Sequence, residues 1–322
     1  MAVPAYHLRT NKAVERFLFI QLLKNIIPLK DCNNYTYCSL GGPYMHDFRL
    51  IHENFPRMKM ISIEKDADVY KRQKFNLPSG DITLLKDDLS SYLSTFTPVN
   101  DSYVFWLDYT ALRYSYFEDY KKLLTKLPAG SVIKITFRCE PSAYLNKGHD
   151  RKKTNGDYVR DKEIEFKNWF SNVLPGNFTR VPRAQKGFAK LLTKMLKIAS
   201  QQALPKASKG NIVVPASDFY YRDGAGIYTF TGVIADMDSA ADVRQSISHL
   251  KYANTGWRKN PKLINIPVLS SKERLHLQAD LPCKGGQLQK NLGFKIGANS
   301  LEQLKQYAEY YKEYPYFIQG II

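Results

Sequence analysis

The chain has 322 residues, longer than the ~100–200 of an ordinary single domain, with 44% hydrophobic and 13% aromatic residues. That composition excludes a disordered chain, whose signature is low hydrophobicity with few aromatics. Lys and Arg number 47 against 30 Asp and Glu, a net charge of +17, which suits nucleic acid or another polyanion as partner, although no recognised nucleic-acid-binding motif accompanies it.

Cys32, Cys38, Cys139 and Cys283 contain no C-x-x-C pair, which argues against a zinc ribbon or a dithiol redox site. Six histidines show no H-E-x-x-H spacing, so no metal site is expected. The first residues lack an apolar leader core, and no stretch reaches the ~18 apolar residues of a membrane span. A cytoplasmic protein without membrane contact is the expectation.

In chain order, Val14 to Leu23 carries apolar residues at helical spacing after Thr10 and Asn11, either of which suits a cap. Tyr35 to Leu40 is rich in β-formers and runs into Gly41-Gly42-Pro43, after which Phe48, Leu50, Ile51 and Phe55 predict a helix. Met58 to Ile63 predicts a second strand ending at Glu64, and a helix over Asp68 to Phe75 completes a β-α-β unit. Ile82 to Leu85, Tyr103 to Leu107 and Ser131 to Phe137 predict further strands, with a helix over Phe117 to Leu127. Parallel strands need crossover helices, so the alternation predicts a doubly wound, mainly parallel α/β sheet.

Residues 140–180 are more polar and read as a surface loop, with a basic cluster from Lys147 to Lys153 that includes His149, leading to a helix around Ile164 to Val173. Ala184 to Leu204 predicts a basic amphipathic helix whose Phe188, Leu191, Leu192, Met195 and Ile198 stripe packs on the core. Phe219 to Tyr221 and Ile227 to Ile234, separated by Arg222-Asp223-Gly224-Ala225-Gly226, predict an antiparallel hairpin that closes the sheet. Beyond it lie helical segments over Val243 to Leu250, Lys272 to Leu281 and Leu301 to Tyr314, the last presenting Leu301, Leu304, Ala308 and Tyr311 on one face. The expected organisation is a main domain over 1–254 and a small helical appendage over 255–322.

A glycine pair after the first strand lets the backbone turn sharply and a ligand approach the following helix. Dinucleotide binders place G-x-G-x-x-G there to seat a pyrophosphate. In Gly41-Gly42-Pro43-Tyr44 the proline lacks an N–H and bulky Met45 and His46 follow, so a ligand without phosphates fits better. Glu64 follows Gly42 by 22 residues, close to the ~20 at which an acid accepts both ribose hydroxyls of an adenine nucleoside. Alone, Gly-Gly suits a plain turn and Glu64 a solvated strand end. Together, Leu40, Gly41, Gly42, Pro43, Glu64 and Lys65 describe an adenosine-binding site, with S-adenosylmethionine as the expected cofactor.

Asp87 and Asp88 end the third strand, where an acid accepts the adenine amino group or caps the next helix; the sequence leaves both open. Asp108-Tyr109-Thr110 ends the fourth, facing the reactive end of such a cofactor. Asp108 suits orienting an acceptor or general-base work, and Tyr109 a cation–π contact with a sulfonium; the competing reading is an Asp-initiated turn with a core tyrosine. Methyl transfer relies on alignment more than acid–base machinery, because the leaving thioether is neutral, so the lack of an evident triad is in keeping.

The run Leu40-Gly41-Gly42-Pro43-Tyr44-Met45-His46-Asp47-Phe48-Arg49-Leu50-Ile51-His52-Glu53, with Ile61 to Asp66 and Trp106 to Thr110, resembles a bacterial O-methyltransferase family. Ser271 to Leu275 and Tyr310 to Pro315 extend the likeness over nearly the whole chain. The resemblance implies a class I, Rossmann-like, S-adenosylmethionine-dependent fold: seven strands, the last antiparallel, with the cofactor over the carboxyl ends of strands one and two. It makes Gly41, Gly42, Glu64 and one of Asp87 or Asp88 cofactor residues. The usual acidic-x-Gly-x-Gly-x-Gly is here Ser39-Leu40-Gly41-Gly42-Pro43-Tyr44-Met45. That departure keeps a second reading open, a catalytically silent module that senses a nucleotide or holds a partner. A third, an NAD-dependent oxidoreductase, is disfavoured by Pro43 and the missing pyrophosphate glycine.

Overall fold

The computed structural model describes residues 9–99, 101–145, 155–204 and 210–315. Its sheet follows the predicted alternation: β1 Tyr35–Ser39, α2 His46–Asn54, β2 Lys59–Ile63, α3 Ala67–Phe75, β3 Ile82–Leu85, α4 Leu89–Thr95, β4 Ser102–Asp108, α5 Tyr114–Lys126 and β5 Val132–Arg138, all after an N-terminal helix α1 over Thr10–Ile26. Then come α6 Ser142–Leu145, α7 Asn155–Phe170, α8 Gln185–Ala203, and the hairpin of β6 Ile212–Asp223 and β7 Ala225–Ala235. The chain continues through α9 Ala240–Ile247, β8 Lys262–Ile264, α10 Ser271–Gln278, α11 Gly285–Leu292 and α12 Ser300–Tyr310.

The strand order is β3-β2-β1-β4-β5-β7-β6-β8. β1 to β5 pair in parallel, and β7 runs antiparallel to β5. This is a doubly wound, mainly parallel sheet with an antiparallel strand, as the resemblance implied, with one addition: eight strands rather than seven, the extra one being three-residue β8. β4, reading Tyr103-Val104-Phe105-Trp106-Leu107, is buried on both faces, as a parallel strand between helical layers must be. In β5 the run is broken by Lys134, fully buried, whose Nζ lies 3.5 Å from the centre of the Trp106 ring, a cation–π contact in a dry setting.

Two compact units emerge. The larger comprises Leu22–Tyr220 and Gly226–Lys262; the smaller comprises the N-terminal part to Gln21, Tyr221–Ala225 and the C-terminal part from Leu263. Within the larger, Phe188, Leu191, Leu192 and Met195 of the expected α8 stripe are buried while Ile198 is partly exposed, and Tyr120 of α5 meets Ser200 of α8 at 2.9 Å. Within the smaller, Asn11 is no simple cap: its amide donates to the Arg222 carbonyl (3.1 Å) and Asp223 Oδ1 (2.8 Å), while Asp223 Oδ2 accepts the Lys12 N–H (2.7 Å). The hairpin turn thus supplies the carboxylate that the first turn of α1 lacks.

Four local expectations change. α7 begins at Asn155, well before Ile164, while the Lys147 to Lys153 cluster with His149 lies outside the described residues. β6 starts at Ile212, ahead of Phe219, and includes Pro215. α11 was not anticipated. On α12 the buried side chains are Leu304, Tyr307 and Tyr310, while Leu301 is exposed; the helix is turned from the expected face because two large tyrosines bury more apolar area than one leucine.

Candidate functional site

The parallel register brings the sequence-selected residues to one end of the sheet. Ser39 pairs with Ser62 of β2 and with Trp106 of β4, so Gly41 and Glu64, just past the ends of β1 and β2, and Asp108, the last residue of β4, lie toward the same carboxyl edge of the sheet. The Glu64 N–H donates to the Leu85 carbonyl (2.9 Å), carrying the β2–β3 ladder past the strand end and bringing Asp87 and Asp88 alongside. All of these residues belong to the larger unit.

The bend after β1 is built from left-handed backbone: Gly41 at φ 63°, Gly42 at φ 59°, and Met45, just before α2, at φ 55°. Glycine adopts this region freely; Met45 holds it at a cost of roughly 1 kcal/mol or more. The two glycines do different work. A Cβ on Gly41 would sit 2.7 Å from Ser62 Oγ and 2.9 Å from Met45 Sδ, so its hydrogen is what allows β2 and the bend to close together. A Cβ on Gly42 would meet nothing within 4 Å, which leaves its backbone open to a ligand.

Side chains of α3 hold the bend from outside. Buried Gln73 donates to the Leu40 carbonyl (2.9 Å) and accepts from Ser62 Oγ (3.0 Å). Asn76 donates to the Pro43 carbonyl (2.9 Å). The Gly42 N–H turns back on the Leu40 carbonyl at 2.6 Å. Both ends of the bend are therefore fixed before any ligand arrives, and its entropy cost is met in folding. Neither Gln73 nor Asn76 was singled out from sequence; the available signal was a glutamine on the inward face of a short helix.

Glu64 is half-buried, and Oε1 accepts the Asp66 N–H at 2.8 Å. Burial raises its pKa above the ordinary glutamate range, partly offset by the Asp66 backbone N–H. Asp66 caps α3 through the N–H groups of Asp68 and Val69 (both 2.9 Å). Asp88 caps α4 through the Ser90 N–H (3.0 Å) and receives Lys65 Nζ at 3.3 Å, so the capping alternative for Asp88 is realised. Asp87 Oδ1 accepts the Asp88 N–H (2.7 Å). The Lys65–Asp88 pair is exposed on both sides, and such pairs add little stability; its effect is to tie the ends of β2 and β3.

At the end of β4, Asp108 is partly exposed and Tyr109 is 7% exposed. The Tyr109 ring lies flat on Tyr116, with centroids 3.7 Å apart, and its hydroxyl donates to Asp119 Oδ2 at 2.9 Å. Burial, then the Asp119 charge, drives the Tyr109 pKa far up, so the phenol stays protonated. Ser90 Oγ donates to the same Asp119 oxygen at 2.9 Å. Asp119, a carboxylate on the buried face of α5, thereby fastens the end of β4 to the start of α4. Sequence reading passed over it; an acid among Phe117, Tyr120, Leu123 and Leu124 was the available clue.

From residues 4 to 322 the sequence matches the model of a family described as "Putative O-methyltransferase". The chain belongs to that family. The match bears out the O-methyltransferase resemblance read from Leu40 to Glu53, Ile61 to Asp66 and Trp106 to Thr110. No curated protein matches the sequence. Among solved structures the chain is similar to the S-adenosylmethionine-dependent methyltransferase SibL in its apo form, at 10% identity and TM-score 0.34, over 66% of this chain and 55% of that one. It is similar to LepI in complex with SAM at 14% identity and TM-score 0.33, over 62% of this chain and 42% of that one. A probable spermidine synthase from Corynebacterium glutamicum ATCC 13032 aligns at 11% identity and TM-score 0.41, over 78% of this chain and 82% of that one. The chain thus spans about half the length of the first two.

Proposed function

We propose that this member of the O-methyltransferase family binds S-adenosylmethionine over the carboxyl ends of β1 and β2 and transfers its methyl group to an acceptor held beside β4. The observation that carries the reading is the gathering of Gly41, Glu64 and Asp108 at the carboxyl edge of β1, β2 and β4, with an open backbone at Gly42. Bound there, the cofactor supplies an electrophilic methyl on a sulfonium whose departing thioether is neutral.

The residues present suit such a ligand. Glu64 accepts the two ribose hydroxyls, as a partly desolvated carboxylate does strongly. Of the two acids after β3, we assign Asp87 to the adenine amino group, since Asp88 is engaged in capping α4. Leu40 and Pro43 give their carbonyls to α3, so the bend meets the ligand with a preset shape. Lys65, held by Asp88, lines the rim. Asp108 orients the acceptor or takes its proton, and Tyr109 fixes the end of β4 through Asp119 so that Asp108 keeps its place.

No helix among the described residues is long and apolar enough to cross a membrane. A cytoplasmic setting suits the four thiol cysteines, and the net charge of +17 suits a polyanionic acceptor or partner.

Incubation with methyl-tritiated S-adenosylmethionine and separate panels of hydroxylated small molecules, RNA and protein tests the reaction. Label is expected in one acceptor class, reduced at least 100-fold in Asp108→Ala. Label in no class, with the cofactor bound, would leave the silent-module reading in its place.

A further inference from the structure

The turn between α11 and α12 carries an open groove of about 640 Å³, lined by Lys290, Gly293, Phe294, Lys295, Ser300 and Leu301 among others. Three features set it apart from ordinary helix surface. Phe294 is 52% exposed and Leu301 47% exposed, two large apolar side chains that both line the groove. Lys290 and Lys295 are exposed beside them, and no carboxylate lines the groove. Gly293, at φ 75°, has nothing within 4 Å of where a Cβ would stand, so a ligand backbone can approach the chain closely there.

The groove walls are fixed. The α11 end is closed by the Gln289 amide donating to the Phe294 carbonyl (2.7 Å), and Ser300 receives the Ile296 N–H (3.1 Å) while its own hydroxyl goes to Gln289. At the other end of α11, Gly285 lies so close to α12 that a Cβ would stand 2.2 Å from the Lys305 Cα. The exposed phenyl ring is thus presented on a connection tied to both helices by these hydrogen bonds.

We propose that this groove binds single-stranded nucleic acid, with a base stacked on Phe294 and flanking phosphates held by Lys290 and Lys295. An aromatic face between cations is the physical pattern of such recognition: stacking tolerates any base, and phosphates need only positive charge. An apolar protein segment would match Phe294 and Leu301 but leave both lysines without partners. A duplex would match the lysines but keep its bases away from the ring. The proposal gives a place and a ligand class to the polyanion reading and rests on it; it is independent of the methyl donor.

Fluorescence anisotropy of the full chain with a labelled single-stranded RNA 12-mer is the test, with no methyl donor present. Phe294→Ala is expected to weaken binding about tenfold. Lys290→Glu with Lys295→Glu is expected to weaken it more than tenfold and to flatten the slope of log K against log salt by about 1.4. Lys186→Glu with Lys194→Glu, the same charge change on exposed positions of α8, is expected to leave affinity within twofold. Equal losses in both charge pairs, or wild-type affinity in Phe294→Ala, would overturn the groove while keeping a basic contact elsewhere. No binding by the wild-type chain would overturn the groove and the polyanion reading together.

Discussion

At the residue scale, the neighbouring glycines of the bend make opposite demands. Gly41 is enclosed and Gly42 open, although their φ angles are nearly the same. Gly41→Ala adds a left-handed penalty and a clash with Ser62 and Met45, together about 2–4 kcal/mol. Gly42→Ala adds only the backbone penalty, about 1 kcal/mol, but places a methyl where the ligand would lie. Thermal unfolding should show a clearly larger fall for Gly41→Ala, while cofactor affinity should fall in Gly42→Ala even where the fold is intact. Equal thermal losses would mean that Gly41 is not wedged as described. Gln73→Leu should free the Leu40 carbonyl and cost about 1–3 kcal/mol. The glycines and Glu64 were legible in the sequence because strand ends and bends have their own residue chemistry. Gln73, Asn76 and Asp119 were not, because a polar side chain on a helix declares its role only when the packing places it against a particular carbonyl or hydroxyl.

Between elements, buried polar links decide how the layers lock. Asp119 receives both Tyr109 and Ser90, so Tyr109→Phe and Asp119→Asn should be coupled in a double-mutant cycle by about 1–3 kcal/mol; additivity would show that the contact contributes nothing. A second link joins α8, β6 and β7. Thr193 donates to the Asp218 carboxylate (3.1 Å) and meets the Tyr228 hydroxyl (2.8 Å), and Asn254 donates to the other Asp218 oxygen. Burial raises the Asp218 pKa from 3.8 to about 6, offset by the Asn254 and Thr193 hydrogen bonds. A carboxyl that holds its proton more tightly when folded contributes stability in full below its unfolded pKa and loses that contribution as pH rises through its folded pKa. The penalty is therefore absent well below the unfolded value of 3.8 and nearly complete above about 6. Asp218→Asn, neutral at every pH, should match the wild type in urea-unfolding stability at about pH 3 and exceed it at about pH 7 by on the order of 2 kcal/mol. A parallel pH profile for both proteins would contradict this. The parallel strands themselves were legible from near-continuous apolar runs. The early part of β6 was not, since Pro215 argues against a strand except toward a sheet edge, and α11 was hidden behind Gly285-Gly286 and few apolar residues.

For the whole molecule, the sequence carried the architecture because alternation of strand and helix constrains topology more than any single residue does. Parallel register places the carboxyl ends of β1 to β5 on one side of the sheet, where the candidate residues were read. What the sequence left open was whether Asp87 or Asp88 caps the following helix, and the structure shows Asp88 as the cap of α4. Glu64 must be ionised to accept sugar hydroxyls, and burial raises its pKa, so cofactor affinity should begin to fall at a higher pH than for an ordinary glutamate as acid is added.

The most direct measurement is titration calorimetry of S-adenosylhomocysteine against the wild-type chain and Glu64→Ala, with NAD and ATP as competing ligands. The account predicts selective binding of the homocysteine adduct by the wild type and a loss of at least 30-fold, about 2 kcal/mol, in the variant with its thermal stability retained. Unchanged affinity in Glu64→Ala, or preference for NAD or ATP, would contradict it.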